Sequence, residues 1–397
     1  MRLDTRSVPT PCRETNCGRL DSWLRWLRIG HDRKLNSRAR HYPLQCGIPG
    51  HELLMARAAL STNRIPEAAG RDDATIRRDV LSQVKPVVLR GLVAHWPAVR
   101  HGRTSPQAFI DYLRRLDNGS PVNAILIPPE AGGRLGYNAA MSGFNFARNR
   151  VTLTSVGERI LRYSAFTRAP AVATQAARID ECLPQYVQEN PLPLLDPSVR
   201  PRLWLGNTIT TPAHVDETHN IACVVSGRRR FTLFPPEQIA NLYVGPVDFT
   251  PTGAPIALPS LTEPDFEHFP RLRVALQHAQ VAELEPGDAL YIPALWWHQV
   301  ESLSSCNALV NYWWHPIAGE AVGASPVFDC LLHCMLTLRR MPLEARAGWR
   351  AAFEHYIFGP DAPLTDHIPP ERRGVLGEIT PELAQHIRAQ LLGRIKR

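Results

Sequence analysis

The segment TPAHVDETHN, at residues 211–220, places His214 and Asp216 one residue apart, and His298 follows at the start of a later strand-like segment. Successive side chains of a β-strand point to opposite faces, so positions 214 and 216 of a strand share one face. Two imidazoles and one carboxylate are the ligands of the facial triad that holds non-haem Fe(II) with open positions. The sequence therefore predicts a mononuclear metal site made by these three residues.

Downstream residues predict a hairpin that directs a positive charge toward this site. Ser226-Gly227 is typical of a two-residue turn, which pairs Val224 with Arg229 and puts Asn220 and Arg229 on the inward face with His214. A buried arginine is costly without an anion, and the predicted hairpin has no acidic residue opposite it. A dicarboxylate such as 2-oxoglutarate is the partner favoured by a forked guanidinium. A register shift of one residue would bury a neighbouring arginine instead.

Short β segments separated by Gly/Pro turns predict an antiparallel sandwich or a double-sheet jelly roll. The Pro-rich stretch 243–278 reads as a long insertion between strands, and helical spacing returns in the last part of the chain. The predicted strands are residues 122–127, 203–213, 220–225, 229–234, 280–284, 289–292, 298–302 and 308–314.

Composition changes suggest four parts of the chain. Residues 1–60 form a basic arm that is either poorly ordered or an extension from a misassigned start, with Met55 as the alternative start. Residues 61–120 are an N-terminal flank with helical and strand segments, 121–318 are the β core, and 319–397 are a helical C-terminal region.

The net charge of +8 suggests a polyanionic partner until its location is considered. Residues 1–60 contain eleven basic and five acidic side chains, so the arm carries +6 and the rest of the chain only +2. A nucleic-acid role for the β core is therefore disfavoured. The eight cysteines lack zinc-type spacing, and the chain has neither an 18-residue apolar run nor an apolar signal core. These features predict a cytoplasmic protein without a membrane partner.

The combined motifs resemble the cupin-like branch of the JmjC-domain oxygenases, the group that includes the asparaginyl hydroxylase that inhibits hypoxia-inducible factor. The similarity extends from about residue 65 to 318, and the C-terminal helices look like those of bacterial members. The fold implied is a double-stranded β-helix with flanking helices. The motifs are Pro86-Val87-Val88-Leu89-Arg90-Gly91, His95-Trp96-Pro97, Gly206-Asn207-Thr208, residues 211–216, His219-Asn220, Ser226-Gly227-Arg228-Arg229-Arg230-Phe231, Leu233-Phe234-Pro235-Pro236, Pro286-Gly287-Asp288, Tyr291-Ile292-Pro293 and Trp296-Trp297-His298.

Transferred residue by residue, the resemblance implies that the predicted triad binds Fe(II), and that Thr211 and Arg229 bind the distal carboxylate of 2-oxoglutarate. It places Asn220 and Asn311 against the co-substrate or metal-bound oxygens, and Tyr137 near the mouth of the site. The hydroxylase named above has lysine where Arg229 stands, so basic character is retained with a different geometry. Trp296, Trp297, Trp313 and Trp314 are interpreted as packing residues.

The activity that the resemblance implies is hydroxylation of a C–H bond, which uses dioxygen and converts 2-oxoglutarate to succinate and CO₂. A protein or peptide side chain is the expected substrate, with RNA as another, and a homodimer through the C-terminal helices is expected. Three alternatives remain: a cupin-fold metalloenzyme that does not use 2-oxoglutarate, a catalytically silent binding module, and a nucleic-acid enzyme or binder that uses the basic arm.

Overall fold

Two facing β-sheets, one of ten strands and one of four, form the centre of the computed structural model. The structure describes residues 63–70, 72–315, 326–360 and 362–395, so the predictions for residues 1–60 lie outside the described residues. The predicted fold class is confirmed: the protein is mainly β, a jelly roll of the cupin type with flanking helices.

The large sheet has the strand order β1-β2-β12-β9-β14-β7-β5-β3-β4, with β6 paired to β7. Its neighbours are antiparallel except for the β1–β2 pair. The strands of this sheet are β1 (Glu67–Ala69), β2 (Val87–Arg90), β3 (Val122–Ile127), β4 (Ala147–Val151), β5 (Ala171–Thr174), β6 (Ala177–Arg178), β7 (Pro201–Gly206), β9 (His219–Ser226), β12 (Ala289–Ile292) and β14 (Asn307–Trp314).

The small sheet is antiparallel, with the strand order β11-β10-β13-β8. The predicted strand over 203–213 is divided in the structure, because the chain leaves β7 and enters the other sheet as β8. The strands of this sheet are β8 (Thr210–His214), β10 (Arg229–Phe234), β11 (Gln280–Leu284) and β13 (Trp297–Ser302).

Helices precede, interrupt and follow the β core. Ser105 caps one of them by accepting a hydrogen bond from the Ala108 amide, and Pro106 fits its first turn, so the predicted helix from 106 to 116 forms as expected. The helices are α1 (Asp73–Asp79), α2 (Pro97–Thr104), α3 (Pro106–Leu116), α4 (Leu153–Tyr163), α5 (Ile179–Cys182), α6 (Pro184–Glu189), α7 (Leu272–Gln277), α8 (Pro326–Thr337), α9 (Leu343–Phe353), α10 (Ala362–Thr365) and α11 (Pro381–Ile395).

Apolar clusters hold these layers together. Ala222 and Val224 of β9 meet Phe231 and Leu233 of β10 between the two sheets. Helices α2 to α6 cover the outer face of the large sheet, where Phe109 is fully buried. The insertion between β10 and β11 covers the outer face of the small sheet. The space between the sheets is therefore lined by side chains of both, and its polar members stand out against an apolar background.

The predicted hairpin between β9 and β10 is wrong. β9 pairs with β12 and β14, whereas β10 pairs with β11 and β13, so the two strands belong to different sheets. Gly227 allows this crossover: its φ is +68°, and a Cβ there would lie 2.3 Å from the Cys306 carbonyl oxygen. The predicted inward facing of Asn220 and Arg229 survives, because each strand keeps its inward face across the turn.

None of the described helices is both long enough and apolar enough to cross a membrane.

Candidate metal centre

His214, Asp216 and His298 converge at one point between the sheets. Their potential ligand atoms all lie within 4.8 Å of one another. The two imidazole centroids are 4.2 Å apart, and Nε2 of His298 lies 3.6 Å from Oδ2 of Asp216. Two imidazole nitrogens and one carboxylate oxygen within such a radius are a donor set that suits a single divalent transition metal.

The strands of the small sheet position the two histidines opposite each other. His214, the last residue of β8, pairs directly with His298 of the antiparallel strand β13. Asp216 lies beyond the end of β8, which corrects the expectation that residues 214 and 216 share one strand. The Leu295 amide donates a 2.8 Å hydrogen bond to the carbonyl oxygen of Asp216, which anchors this bend to the segment that leads into β13.

Hydrogen bonds to backbone carbonyls fix the orientation of both imidazole rings. Nδ1 of His214 lies 2.9 Å from the Pro212 oxygen, and Nδ1 of His298 lies 3.0 Å from the Trp296 oxygen. A carbonyl oxygen only accepts, so Nδ1 carries the proton in each ring and Nε2 is left with a free lone pair. Burial, reinforced by the neighbouring His214, lowers the pKa of His298 to about 4, which keeps this ring neutral. Both rings are thus prepared to bind a metal through Nε2.

Arg229 is the buried cation of the interior. Its side chain is 6% exposed, and one Nη donates a 3.1 Å hydrogen bond to the Trp204 carbonyl oxygen. Its Nε has no hydrogen-bond partner, and no acidic side chain among the described residues pairs with it. Burial lowers the pKa of Arg229 to about 10. A desolvated, incompletely bonded guanidinium fits an anionic ligand.

Register places Thr211 between the His-Asp-His cluster and Arg229. Inward positions of the small sheet form successive rows: His298 with His214, then Val300 with Thr211, and then Ser302 with Arg229. A β-bulge sets two residues of β8, Pro212 and Ala213, against the single residue Gln299 of β13, so Thr211 shares a face with His214. The outer rows are four residues apart, about 13 Å along the strand. A five-carbon dicarboxylate together with an arginine side chain is suited to that span.

Asn220 and Asn311 face the small sheet from adjacent strands of the large one. The Asn311 amide donates a 3.3 Å hydrogen bond to Oδ1 of Asn220, and its own Oδ1 accepts a 2.9 Å bond from the Trp204 indole. Trp204 therefore contacts both Asn311 and Arg229 through different atoms. This network fixes the polar groups at the centre of an otherwise apolar face.

Tyr137 lies in an aromatic cluster separate from this network. Its hydroxyl donates a 2.6 Å hydrogen bond to the Phe249 carbonyl, and its ring packs against Phe144 and Phe249. The described contacts link it to the loop after Phe249. Part of that loop, Thr252 to Pro255, lines a cavity that also contacts Asp216. Tyr137 thus contacts the segment that leads into this loop, and its described contacts do not include His214, Asp216 or His298.

Trp313 is a site residue that the sequence interpretation assigned to packing. Its indole N–H donates a 3.1 Å hydrogen bond to Oδ2 of Asp216. Strand alternation could have indicated this position, because residues 311 and 313 of one strand lie on the same face, and Asn311 is already predicted to face the site. The backbone carbonyls that orient the imidazoles, and the indole of Trp204, gave no signal of that kind.

Fold and site together define a jelly-roll protein of the cupin type with a His-Asp-His centre between its sheets. The chain belongs to the cupin-like domain family, whose pattern matches residues 73–320. The family resemblance expected from the sequence, JmjC-type and cupin-like, is thereby confirmed.

Several characterised proteins are similar to parts of this chain. Human HSPB1-associated protein 1 is 31% identical over 147 residues, which cover 36% of this chain and 30% of that protein. Lysine-specific demethylase JMJ30 of Arabidopsis thaliana is 27% identical over 267 residues, 64% of this chain and 56% of its own length. Jumonji C domain-containing protein 5 of Drosophila melanogaster is 32% identical over 158 residues, which cover 40% of this chain and 36% of that protein. In each case the chain spans less than two thirds of the relative.

Proposed function

We propose that this protein is an Fe(II)- and 2-oxoglutarate-dependent oxygenase that hydroxylates a protein side chain. One observation carries the proposal: a three-residue metal cluster with oriented Nε2 atoms shares its interior with a buried guanidinium that has no acidic partner among the described residues. The first feature suits a catalytic metal with open positions, and the second suits a dicarboxylate co-substrate.

In this proposal, His214, Asp216 and His298 hold the iron. The bound metal and co-substrate supply the oxidising chemistry, in which R–H, dioxygen and 2-oxoglutarate yield R–OH, succinate and CO₂. Arg229 pairs with the distal carboxylate, and Thr211 adds a hydroxyl in the adjoining row. The role of these two residues is to bind and orient the co-substrate.

Asn220 and Asn311 would bind polar atoms of the co-substrate beside the metal position, since their amides lie on the inward face of the large sheet. The surrounding apolar residues exclude water from this interior. Tyr137 is proposed to support the mouth of the site through its bond to the loop at Phe249.

Demethylation is the second candidate activity, because two plant relatives are named lysine-specific demethylases. The chemistry is related: hydroxylation of an N-methyl group gives a hemiaminal that releases formaldehyde. Coupled assays with peptides distinguish the two. Hydroxylation adds one oxygen atom to the peptide with stoichiometric succinate, whereas demethylation releases formaldehyde and leaves the peptide lighter. Absence of succinate from iron-loaded protein with every peptide, and also without peptide, would contradict both activities.

We also propose that the protein forms a homodimer through its C-terminal helices. Large apolar side chains remain exposed there, among them Leu336 at 64%, Leu343 at 72% and Leu392 at 59%. Such exposed apolar side chains would be buried in a helix-mediated interface between two copies. Light scattering after size-exclusion chromatography should give twice the mass of the chain, and a monomeric mass across micromolar concentrations would contradict the dimer.

A further inference from the structure

A cavity of about 980 Å³ separates the metal centre from the C-terminal helices. On the side of the β core its wall includes Asp216 and Trp313, and on the other side it is formed by residues of α8 and α9. Because Asp216 belongs to the metal cluster, a molecule in this cavity lies directly beside the proposed reaction centre. Its volume is at the upper end of the range for ligand-binding pockets, about 300–1,000 Å³.

Most of the surface that α8 and α9 contribute is apolar. It favours burial of an apolar group and disfavours burial of an isolated charge. The apolar side chains on this C-terminal wall include Phe328, Leu331, Met335, Trp349 and Phe353.

The same wall also carries three arginines, Arg339, Arg346 and Arg350. Arg346 is used internally: its guanidinium donates hydrogen bonds of 2.8 Å to the Met341 oxygen and 2.5 Å to the Arg339 oxygen. It thereby holds the turn between α8 and α9 that presents Arg339. No described acidic side chain forms an ion pair with Arg339 or Arg350. Two arginines without an ion-pair partner among the described residues thus line a cavity with mainly apolar walls.

The acidic groups among the described residues that line the cavity belong to the opposite wall. Asp216 and Glu217 lie on the side of the β core, where the charge of Asp216 is directed to the metal cluster. The cavity is therefore polarised, with negative charge beside the metal centre and positive charge on the C-terminal wall. A ligand that matches it has an apolar group to fill the space and an acidic group to meet the arginines.

We propose that the substrate is a peptide segment in which an apolar side chain is accompanied by aspartate or glutamate, with the acidic group paired to Arg339 and Arg350. This inference rests on the proposed oxygenase function, because it identifies the cavity beside the metal cluster as the substrate site. A segment whose apolar side chain is flanked by lysine or arginine is disfavoured by the same two cations.

Equilibrium binding to the full chain tests this without requiring turnover. The probes are a fluorescein-labelled peptide with central leucine flanked by aspartates and the same peptide flanked by lysines, compared by fluorescence anisotropy. We expect roughly three- to tenfold tighter binding of the aspartate peptide, the range for two exposed ion pairs. Arg339→Glu/Arg350→Glu should reverse the preference. Arg340→Glu/Arg372→Glu, with the same change of net charge away from the cavity, should keep it.

Three results would overturn the proposal: equal affinities for the two peptides, an equal effect of the two double variants, or binding of dodecanoate but of neither peptide. Conversion of 2-oxoglutarate to succinate by the iron-loaded protein is measured in parallel, with each peptide and without peptide. If that conversion is absent in every case while the peptide preference is present, the oxygenase function fails and the binding site stands. If conversion is present while the preference is absent, the reverse holds.

Discussion

The indole of Trp313 donates a 3.1 Å hydrogen bond to the Asp216 carboxylate. A strand of the large sheet therefore orients Asp216, whereas both histidines of the same cluster lie on strands of the small sheet. Trp204 packs edge-on against Trp313, with ring centroids 6.0 Å apart. Trp204 also accepts the hydrogen bond of Arg229 and donates one to Asn311. The metal cluster and the proposed co-substrate site are therefore connected through two tryptophans.

Loss of the Trp313 hydrogen bond should weaken metal binding. Trp313→Phe keeps an aromatic ring but leaves the Asp216 carboxylate without this donor, and loss of such supporting bonds typically reduces metal affinity about 10–100-fold. Calorimetric titration with Co(II) measures the change. Trp314→Phe is the matched control, because its ring faces the other way and packs on Tyr291. Equal Co(II) affinity of the two variants would show that the bond has no positioning role.

Arg229→Leu should separate the stability of the fold from co-substrate binding. Burial lowers the pKa of Arg229 to about 10, below the ordinary value of a guanidinium, so the folded protein binds this proton less tightly than the unfolded chain does, and the charge costs stability at neutral pH. Replacing a buried charge with an apolar group is often neutral or stabilising by about 1–4 kcal/mol. We expect an unchanged or higher melting temperature without ligand, and no stabilisation by 2-oxoglutarate.

The matched control for that experiment is Arg230→Leu, since Arg230 is on the outward face and pairs with Glu283. This variant should retain the stabilisation by 2-oxoglutarate. If Arg229→Leu retains it as well, the anion site has been placed wrongly.

Metal binding should stabilise the fold, because the three proposed ligands come from two segments that are distant in sequence, residues 214–216 and the strand that contains His298. At 100 times the dissociation constant the linkage contributes about 2.7 kcal/mol, measurable as a higher melting temperature with Mn(II). His214→Ala should abolish this shift. His268→Ala, which removes an exposed imidazole, should preserve it. A shift that persists in His214→Ala would indicate that Mn(II) stabilises the protein elsewhere.

Gly227→Ala should destabilise the crossover between the sheets. Its left-handed φ costs about 1–2 kcal/mol for a residue with Cβ, and the added Cβ would lie 2.3 Å from the Cys306 oxygen. Gly119 has a φ of +81° with no atom within 4 Å of its Cβ position, so Gly119→Ala isolates the conformational cost. Urea unfolding should show a loss of about 3 kcal/mol or more for Gly227→Ala and about 1 kcal/mol for Gly119→Ala. Equal losses would refute the steric account.

Strand periodicity and turn residues were sufficient to predict much of the β core. The predicted strands at 229–234 and 280–284 coincide with β10 and β11, because alternation and flanking turns are local signals. Pairing is not local. Ser226-Gly227 has the composition of a hairpin turn, yet the chain changes sheets there, since burial of both inward faces depends on strands far away in sequence.

At the candidate site, too, local features could be predicted from the sequence, whereas contacts between distant residues could not. Residue type and spacing singled out three residues that the structure brings together and one cation that it buries, since polar and charged groups stand out in apolar segments. The hydrogen bond between Trp313 and Asp216 joins residues 97 positions apart, and tryptophan is common in cores for reasons of packing alone. Its role at the site became visible only when the two sheets were assembled.

The central claim is that Fe(II) and 2-oxoglutarate bind together between the sheets. Anaerobic titration of the protein with both tests this most directly, through the visible charge-transfer band that their chelate produces. The account predicts a saturable band in the wild type, no band in His214→Ala, and a strongly reduced 2-oxoglutarate affinity in Arg229→Leu. Absence of the band in the wild type, or an unchanged band in His214→Ala, would contradict it.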